Sequence, residues 1–244
     1  TEERGNKTGM TDTELLRSSG VTMTASTAAL LESYNEAVMK RNKSVNLTGF
    51  KQKDQSLVRN VYDSLTVYEE AFFPVKGRCL DMGTGGGFPG MVLAILRPDM
   101  HFLLMDSLDK RIRFLEEMAE EMHISNIKAV HMRAEEGGRR RKLRETFDVV
   151  TARAVKALPV LLEWTVPYVK IGGIMAAMKG PSADEELKKS GKVLALMGAV
   201  LEKKKELVLP DGSRRCIFYF RKEKATPKTY PRKTGVAERN PIIG

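Results

Sequence analysis

The sequence of 244 residues has little cysteine, histidine and tryptophan, with two, three and one residues respectively. The two thiols, Cys79 and Cys216, are too few for a disulfide framework or a thiolate zinc site. Both lie in apolar runs that resemble strands, so we expect them to be buried and to have no disulfide partner. The histidines show no metal-site spacing with carboxylates or thiols, and we therefore expect no metal.

Long hydrophobic runs are also absent. No stretch approaches the roughly 20 apolar residues that a membrane-spanning helix requires. The opening residues TEERGNKTGM lack the apolar region of a signal peptide. We expect a cytoplasmic protein that makes no membrane contact, and we expect it to act as a monomer.

Acidic residues are outnumbered in this chain. Its 31 aspartates and glutamates stand against 41 lysines and arginines, which gives a formal net charge of +10. Such a surplus attracts polyanions and makes nucleic acid the leading partner class. Many basic proteins are merely soluble, however, and charge alone does not decide between these alternatives.

The hydrophobic pattern divides the chain into four parts. An opening part without clear periodicity is followed by two helix-like segments over about 24–43 and 54–73, then by a long alternating region and a basic tail. We predict a disordered or extended N-terminus (1–23), a helical extension (24–76), a main domain (77–221) and an extended, partly mobile basic arm (222–244).

Short apolar runs and helical stretches alternate through the main domain, which is the signature of βαβ units and a parallel sheet. Two further strand-like runs, ELVLP and RRCIFYF, flank a turn at 210–213 and predict an antiparallel hairpin at the sheet edge. The sequence thus predicts an α/β, Rossmann-like fold whose seven-stranded, mostly parallel sheet has helices on both faces. The first five strands are predicted at 79–82, 101–105, 126–132, 147–152 and 172–178, with helices at 89–97, 108–122 and 156–168 between them.

A glycine-rich turn follows the first predicted strand in the run DMGTGGGFPG, from Asp81 to Gly90. Glycines let a ligand approach the backbone closely, so a nucleotide-type cofactor is expected here. The frame Gly85-x-Gly87-x-x-Gly90 matches the dinucleotide fingerprint and leaves a nicotinamide oxidoreductase open. The fuller pattern places Asp81 ahead of Gly83, Gly85 and Gly87 and suits a cofactor with an amino-acid tail. Asp81 can accept a hydrogen bond from the ammonium of such a cofactor, directly or through water.

Two later strand ends supply further cofactor candidates. Asp106 is placed to accept both hydroxyls of a ribose, a feature that does not distinguish the two cofactor classes. After the third strand, the backbone of Ala134 and the carboxylate of Glu135 can receive an adenine amino group. Glu135 is alternatively a helix-start acid that the helix dipole favours.

Two basic stretches are candidates for RNA binding. Arg139, Arg140 and Arg141 form a run that is most often just a solvated helix face. In the arm, basic side chains lie among prolines beside a tyrosine, which suits backbone contacts and base stacking. The arm candidates are Lys228, Tyr230, Arg232 and Lys233, and a pure RNA-binding module without a cofactor stays open as an alternative.

The motifs DMGTGGGFPG, MDSLDKRIRFLEE, RAEE and TARAV, in this order and spacing, resemble the ribosomal small-subunit methyltransferase G family. The runs NLT, DSL and TPKTYPRKTGVAERNPI resemble other signatures of that family, so the likeness covers about residues 28–242. The resemblance implies a class I fold that uses S-adenosylmethionine to methylate N7 of guanosine 527, near the decoding site of 16S rRNA. The implied partner is 16S rRNA or a small ribosomal subunit particle.

The family's cofactor contacts fall on Gly83, Phe88, Ala134, Glu135 and Arg153 in this sequence. Arg153 and Lys179 follow strands four and five and are candidates for positioning the substrate, through a phosphate or guanine O6. Arg153 could instead form a surface ion pair, and Lys179 could be only a solvated lysine at a strand end. No catalytic residue is assigned with certainty.

Two positions depart from the family pattern. Asn60 stands where the family commonly has a histidine, so an imidazole at that position is not an indispensable base if the activity is retained. Thr234 replaces a proline in the arm and loosens its expected rigidity. Guanine N7 has no proton to lose, so proximity and orientation supply most of the predicted catalysis.

Overall fold

The computed structural model describes residues 9–244. Within them, seven strands form one sheet in the order β3-β2-β1-β4-β5-β7-β6. Strands β1 to β5 pair in parallel, and β7 is antiparallel to both β5 and β6. The predicted mostly parallel sheet with a C-terminal antiparallel hairpin is therefore confirmed. The strands are β1 Arg78–Met82, β2 His101–Asp106, β3 Ile127–His131, β4 Phe147–Arg153, β5 Val169–Lys179, β6 Ala199–Val208 and β7 Arg214–Lys222.

Strand β6 begins earlier than predicted. Its middle has the run EKKKE, at 202–206, whose side chains are exposed or half-buried. A strand at the sheet edge has only one neighbour, so it does not need the apolar alternation by which strands are recognised. The hydrophobic pattern detected only the end of this strand for that reason.

Helices cover both faces of the sheet. On one face, α2 (Ala25–Arg41), α5 (Gly90–Leu96) and α6 (Asp109–Glu121) bury the core that contains Cys79, Leu104 and Val149. On the other face, α8 (Leu158–Thr165) and α10 (Gly191–Met197) pack over β4, β5 and β7. The remaining α-helices are short: α1 Asp12–Arg17, α3 Lys53–Ser56, α4 Asp63–Leu65, α7 Ala134–Gly137, α9 Ala183–Lys188 and α11 Val236–Arg239.

The predicted disordered or extended N-terminus is wrong for the residues of α1. The Thr11 hydroxyl accepts the N–H of Glu14 at 3.2 Å, and the Glu14 carboxylate accepts the N–H of Thr11 at 2.8 Å. This capping box satisfies two backbone donors that the first turn would leave free. Leu15 and Leu16 are then buried against the helical extension. Residues 1–8 of that predicted part lie outside the described residues.

The second helix of the extension is shorter than predicted and irregular. Between α3 and α4 the chain forms a π-helix, Leu57–Tyr62, and the helical path ends at Leu65 instead of continuing to 73. The hydroxyls of Ser64 and Thr66 donate to the carbonyls of Asn60 and Asp63. Such local bonds compete with the helical ladder and help to end the helix.

The basic arm packs on the main domain, which contradicts the predicted extended arm. Lys222 is the last residue of β7, and its ammonium is buried against Glu145 at 2.9 Å. Arg144 donates to the carbonyls of Thr226 and Tyr230, each at 2.6 Å. These arginine contacts satisfy backbone groups that cannot pair in a sheet or helix, so the proline-rich segment is ordered without a long element of its own.

Candidate functional site

Two adjoining cavities lie at the carboxyl ends of β1, β2 and β4, where ligands bind in open parallel sheets. The first has a volume of about 530 Å³ and extends toward the helical extension and β7. The second, of about 360 Å³, extends over the ends of β2 and β3. Gly83 and Ala154 line both cavities, so a ligand in one would adjoin a ligand in the other.

The three glycines of the turn have different roles, although all have a left-handed backbone. Gly83, Gly85 and Gly87 have φ angles of 68°, 57° and 88°. A Cβ on Gly87 would overlap the hydroxyl of Tyr34, which donates to the carbonyl of Gly86 at 2.6 Å. A Cβ on Gly85 would instead have no atom nearer than 3.9 Å and would enter the first cavity. Gly87 therefore serves packing, and a Cβ on Gly83 would likewise overlap the Val155 side chain at 2.8 Å, whereas Gly85 alone of the three keeps cavity space open.

Asp81 is fully buried and lines neither cavity. One of its oxygens accepts the N–H of Gly90 at 2.8 Å, and the other accepts the hydroxyl of Thr151 at 2.8 Å. Burial raises the pKa of Asp81 to about 6. Its carboxylate thus joins β1, α5 and β4 beneath the glycine turn. The structure gives Asp81 a supporting position, with both oxygens bonded beneath the turn, whereas the sequence suggested that it accepts a cofactor ammonium directly or through water.

Asp106 and Glu135 both line the second cavity and are both buried. The Asp106 carboxylate accepts the N–H groups of Gly85 at 2.9 Å and Leu108 at 3.0 Å, so it also holds the glycine turn. Glu135 accepts the N–H of Gly235 from the arm at 3.0 Å. The arm is therefore fixed to the carboxylate that the sequence assigned to adenine.

Arg153 and Phe88 lie together in the wall of the first cavity. The Arg153 guanidinium stands 5.4 Å from the centre of the Phe88 ring. It donates to the Arg59 carbonyl at 2.6 Å, to the Asn60 side chain at 2.8 Å and to Asp63 at 3.2 Å. Arg153 is thus a largely buried structural cation as well as a cavity residue, and not the surface ion pair that the sequence left open.

Sequence reasoning missed Asn60, Asp63 and Arg215 as cavity residues. Asp63 is 2% exposed and accepts from the Arg215 guanidinium at 3.1 and 3.2 Å in addition to Arg153. Asn60 also donates to the Thr48 hydroxyl at 2.9 Å. The available signal was the presence of polar residues inside the otherwise apolar run LVRNVYDSL, at positions that a helix places toward the core.

Lys179 lines the first cavity at the end of β5. Its ammonium is 2.7 Å from the Glu186 carboxylate and 2.8 Å from the Lys156 carbonyl. The side chain is 8% exposed, so it is not a solvated strand end. Because one carboxylate already neutralises it, Lys179 contributes less free positive charge to the cavity than the sequence suggested.

The seven predicted RNA-binding residues do not form one surface. Arg232 is paired with the buried Glu163 at 2.6 Å, Tyr230 is half-buried, and Arg139 donates to the Pro231 carbonyl at 2.9 Å. These three side chains hold the arm in place. The other four are exposed and make no ion pair within the described part of the chain: Arg140, Arg141, Lys228 and Lys233.

Neither a metal-binding cluster nor a membrane-spanning helix is found within residues 9–244. No group of three His, Cys, Asp or Glu side chains there could hold a metal ion. Cys79 and Cys216 are both buried and unpaired with each other. No helix in this range is long and apolar enough to cross a bilayer.

A family model described as rRNA small subunit methyltransferase G matches residues 27–215. The ribosomal RNA small subunit methyltransferase G of Leuconostoc mesenteroides is 40% identical over 231 residues, which cover 94% of this chain and 97% of that protein. The protein of the same name from Geobacillus kaustophilus is 38% identical over 93% of this chain and 96% of its own length.

Solved structures with low sequence identity share the fold. A fibrillarin pre-rRNA processing protein of Methanococcus jannaschii aligns with a TM-score of 0.53 at 16% identity, over 67% of this chain and 74% of that one. The TYW2 protein of the same organism, solved with AdoMet, aligns with a TM-score of 0.51 at 16% identity, over 67% and 76%. These likenesses show the Rossmann-like class I methyltransferase fold.

Proposed function

Because the chain belongs to the rRNA small subunit methyltransferase G family, we propose that it transfers the methyl group of S-adenosylmethionine to N7 of guanosine 527 in 16S rRNA. Methyl transfer to small-subunit rRNA is the activity of the family. The single observation that supports transfer from a bound cofactor to a base is the pair of cavities that meet at Gly83 and Ala154. One suits a nucleoside cofactor, and the other suits a flipped-out base. The N7 atom and the position 527 are what the family resemblance implies. A nicotinamide oxidoreductase, which the glycine frame left open, is excluded by the family.

The second cavity fits the nucleoside half of this cofactor. Met105 and Met132 supply apolar walls, and the buried indole N–H of Trp164 has no hydrogen-bond partner among the described residues. An unpaired buried donor at a cavity wall is costly unless a ligand atom accepts from it. Asp106 also accepts from the Arg111 guanidinium at 3.3 Å. Because a carboxylate has about four acceptor sites, Asp106 and Glu135 each keep a free acceptor site beside those that are already used.

We assign the cofactor contacts from this geometry. Asp106 would hold the ribose hydroxyls, Ala134 and Glu135 the adenine, and Gly83 and Gly85 the amino-acid portion. When bound, the cofactor supplies a methyl group activated by a sulfonium charge. Asp81 supports the glycine turn from below, because its two oxygens already bind Gly90 and Thr151.

The first cavity would hold the target base and its phosphate, beside the amino-acid portion of the cofactor, which would extend into this cavity at Gly83 and Gly85. Arg59, Arg153, Lys179 and Arg215 line it, whereas its carboxylates, from Asp63 and Glu186, are both paired with cations. Of the described residues that line it, none is a histidine, cysteine or tyrosine that could remove a proton near neutral pH. Guanine N7 has a lone pair and no proton, so these residues need only orient the ring and exclude water.

An RNA analogue tests the proposed target atom. The substrate is a 16S rRNA fragment that contains 7-deazaguanosine at the target, and the readout is methyl incorporation from isotopically labelled S-adenosylmethionine. The analogue lacks N7 but keeps the other polar groups of guanine, so we expect binding without methylation. Methylation of the analogue at the rate of the natural RNA would exclude N7 as the acceptor and leave the fold and family unchanged.

A further inference from the structure

A groove of about 540 Å³ lies on the sheet face over β2 and β3, on the side that α8 and α10 cover elsewhere. The connection from β3 to β4 contains only the four-residue α7 and turns, so no long helix covers these two strands. Side chains alternate along a strand, and this face therefore presents Leu103 of β2 beside Lys128 and Val130 of β3. We call this feature the β2–β3 groove.

The rim of the β2–β3 groove is strongly basic. Five cations line it, together with the exposed His101, and no carboxylate is among the lining residues. Within residues 9–244, none of the five forms an ion pair. Asp148, which accepts the backbone N–H of Arg78, is paired with Lys170. The five cations are Arg78, Lys128, Arg140, Arg141 and Lys142.

The floor of the groove is apolar. Leu103, Val130, Met132 and Leu143 are each half-buried, so each retains some surface in contact with solvent. An apolar floor inside a ring of unpaired cations offers two kinds of contact. The cations can bind phosphates, and the floor can cover the face of an unstacked base.

The groove is separate from the transfer site over most of its length. It is centred at the strand starts, whereas the two site cavities lie at the strand ends. From His101 to Asp106, β2 rises about 16 Å at about 3.3 Å per residue. Met132 lies between the groove and the cofactor cavity and lines both. An occupant of the groove would therefore be a different segment of the bound molecule from the one that contains the target base.

We propose that the β2–β3 groove is a second RNA-binding surface, which takes an unpaired segment of the substrate RNA away from the target guanine. This inference rests on the proposed function, because it takes rRNA as the substrate. Single-stranded RNA carries both the phosphates that the rim cations bind and the splayed bases that an apolar floor covers. An acidic protein segment would supply charge without planar bases, so RNA fits both parts of the groove.

A charge-reversed full-length variant, Lys128→Glu with Lys142→Glu, tests the proposal. Both side chains are exposed and unpaired, so the fold should persist. We expect weaker binding of a fluorescent 16S rRNA fragment. The slope of log affinity against log salt should become shallower by about 0.7–0.9 for each phosphate that the variant no longer neutralises. Affinity for S-adenosylhomocysteine, measured by calorimetry, should match that of the unaltered protein.

The matched control reverses two exposed lysines at the other end of the molecule, Lys189→Glu with Lys192→Glu. It changes the net charge by the same amount without touching the groove. An equal loss of RNA affinity in both variants, or no loss in the groove variant, would overturn the proposal. Loss of binding to whole small subunits with unchanged affinity for naked rRNA would assign the groove to a protein partner and would also overturn it.

This test does not depend on the catalytic outcome. If the unaltered protein binds the RNA but methylates no guanine N7, the proposed function fails and the binding measurements still decide the role of the groove. If methylation occurs and the groove variant binds RNA normally, the groove proposal fails alone.

Discussion

At the scale of single residues, Gly87 is needed for packing, whereas Gly85 leaves space for a ligand. Gly85→Ala and Gly87→Ala carry the same left-handed backbone cost, roughly 1–2 kcal/mol for a residue with a Cβ. Only Gly87→Ala adds an overlap, with the hydroxyl of Tyr34. Overpacking of that kind costs about 1–3 kcal/mol more. We therefore expect a lower melting temperature for Gly87→Ala than for Gly85→Ala.

The more stable of the two variants, Gly85→Ala, should nevertheless have a lower affinity for the cofactor. The Cβ of Gly85→Ala enters the first cavity, so this variant should fold but bind S-adenosylhomocysteine more weakly than the unaltered protein. Calorimetry on the folded variant measures this directly. Full affinity in Gly85→Ala would show that the cofactor does not approach the turn at this residue.

A second residue-scale prediction concerns the buried carboxylate of Asp81. Its folded pKa of about 6 lies above the value of 3.8 for a free aspartate. The folded state therefore holds the proton more tightly, and stability is lost as pH rises from about 4 to about 6. Two pKa units correspond to about 3 kcal/mol. Asp81→Asn cannot ionise, so it should become more stable relative to the unaltered protein over that range, as urea unfolding at each pH would show.

The absolute stability of Asp81→Asn is a less direct measure of the titration of Asp81. Its amide can accept from only one of the two donors, Gly90 N–H and the Thr151 hydroxyl, that the carboxylate binds. The comparison therefore uses the change in the free energy of unfolding with pH, and not the constant difference between the two proteins. Parallel pH profiles for the two proteins would mean that Asp81 does not titrate in this range.

At the scale of elements, the C-terminal arm borders the second cavity, which Glu238 lines and to which we assign the cofactor. Arg232 binds Glu163, which is 1% exposed, through several hydrogen bonds, and Gly235 binds Glu135. Arg232→Ala would leave a buried carboxylate unpaired. Removal of one partner of a fully buried pair costs about 3–5 kcal/mol. Because Arg232 is partly exposed, we expect about 2–3 kcal/mol here, with faster hydrogen exchange over residues 226–240 and weaker cofactor binding.

Two further variants distinguish this docking role from an RNA contact. Arg232→Ala with Glu163→Gln removes the unpaired charge and should recover part of the lost stability. Lys228→Ala removes an exposed arm cation that makes no ion pair among the described residues and should leave stability unchanged. If Arg232→Ala weakened RNA binding while stability and cofactor affinity stayed normal, Arg232 would be an RNA contact after all.

At the scale of the whole molecule, the sequence predicted the elements that bury an apolar face against a long-range partner. Strands β1 to β5 and helices α5, α6 and α8 could be recognised as alternating apolar runs because they bury apolar side chains in the two cores on either side of the sheet. The glycine turn was predicted because its glycines follow a strand and precede a helix, and the structure gives three of them a left-handed backbone. For each of these elements, the local residue pattern favours the same strand, helix or turn that the complete fold requires.

The unpredicted features depend on contacts between distant parts of the chain. Asp81 bonds to Thr151 on the neighbouring strand β4, and Arg153 bonds to Asn60 and Asp63, which lie 93 and 90 positions away in the sequence. The arm has little apolar content, yet buried ion pairs and arginine–carbonyl bonds order it. Neither kind of contact leaves a periodic pattern in one sequence, so composition indicated an extended arm, and the glycine motif indicated only a cofactor contact for Asp81.

The most direct test of the proposed activity is the placement of the methyl group. Unmethylated small subunits or their 16S rRNA would be incubated with the protein and S-adenosylmethionine, then digested and analysed by mass spectrometry. We predict one 7-methylguanosine, at guanosine 527. A methyl group on another guanine atom, on a ribose, or at a different nucleotide would contradict the account.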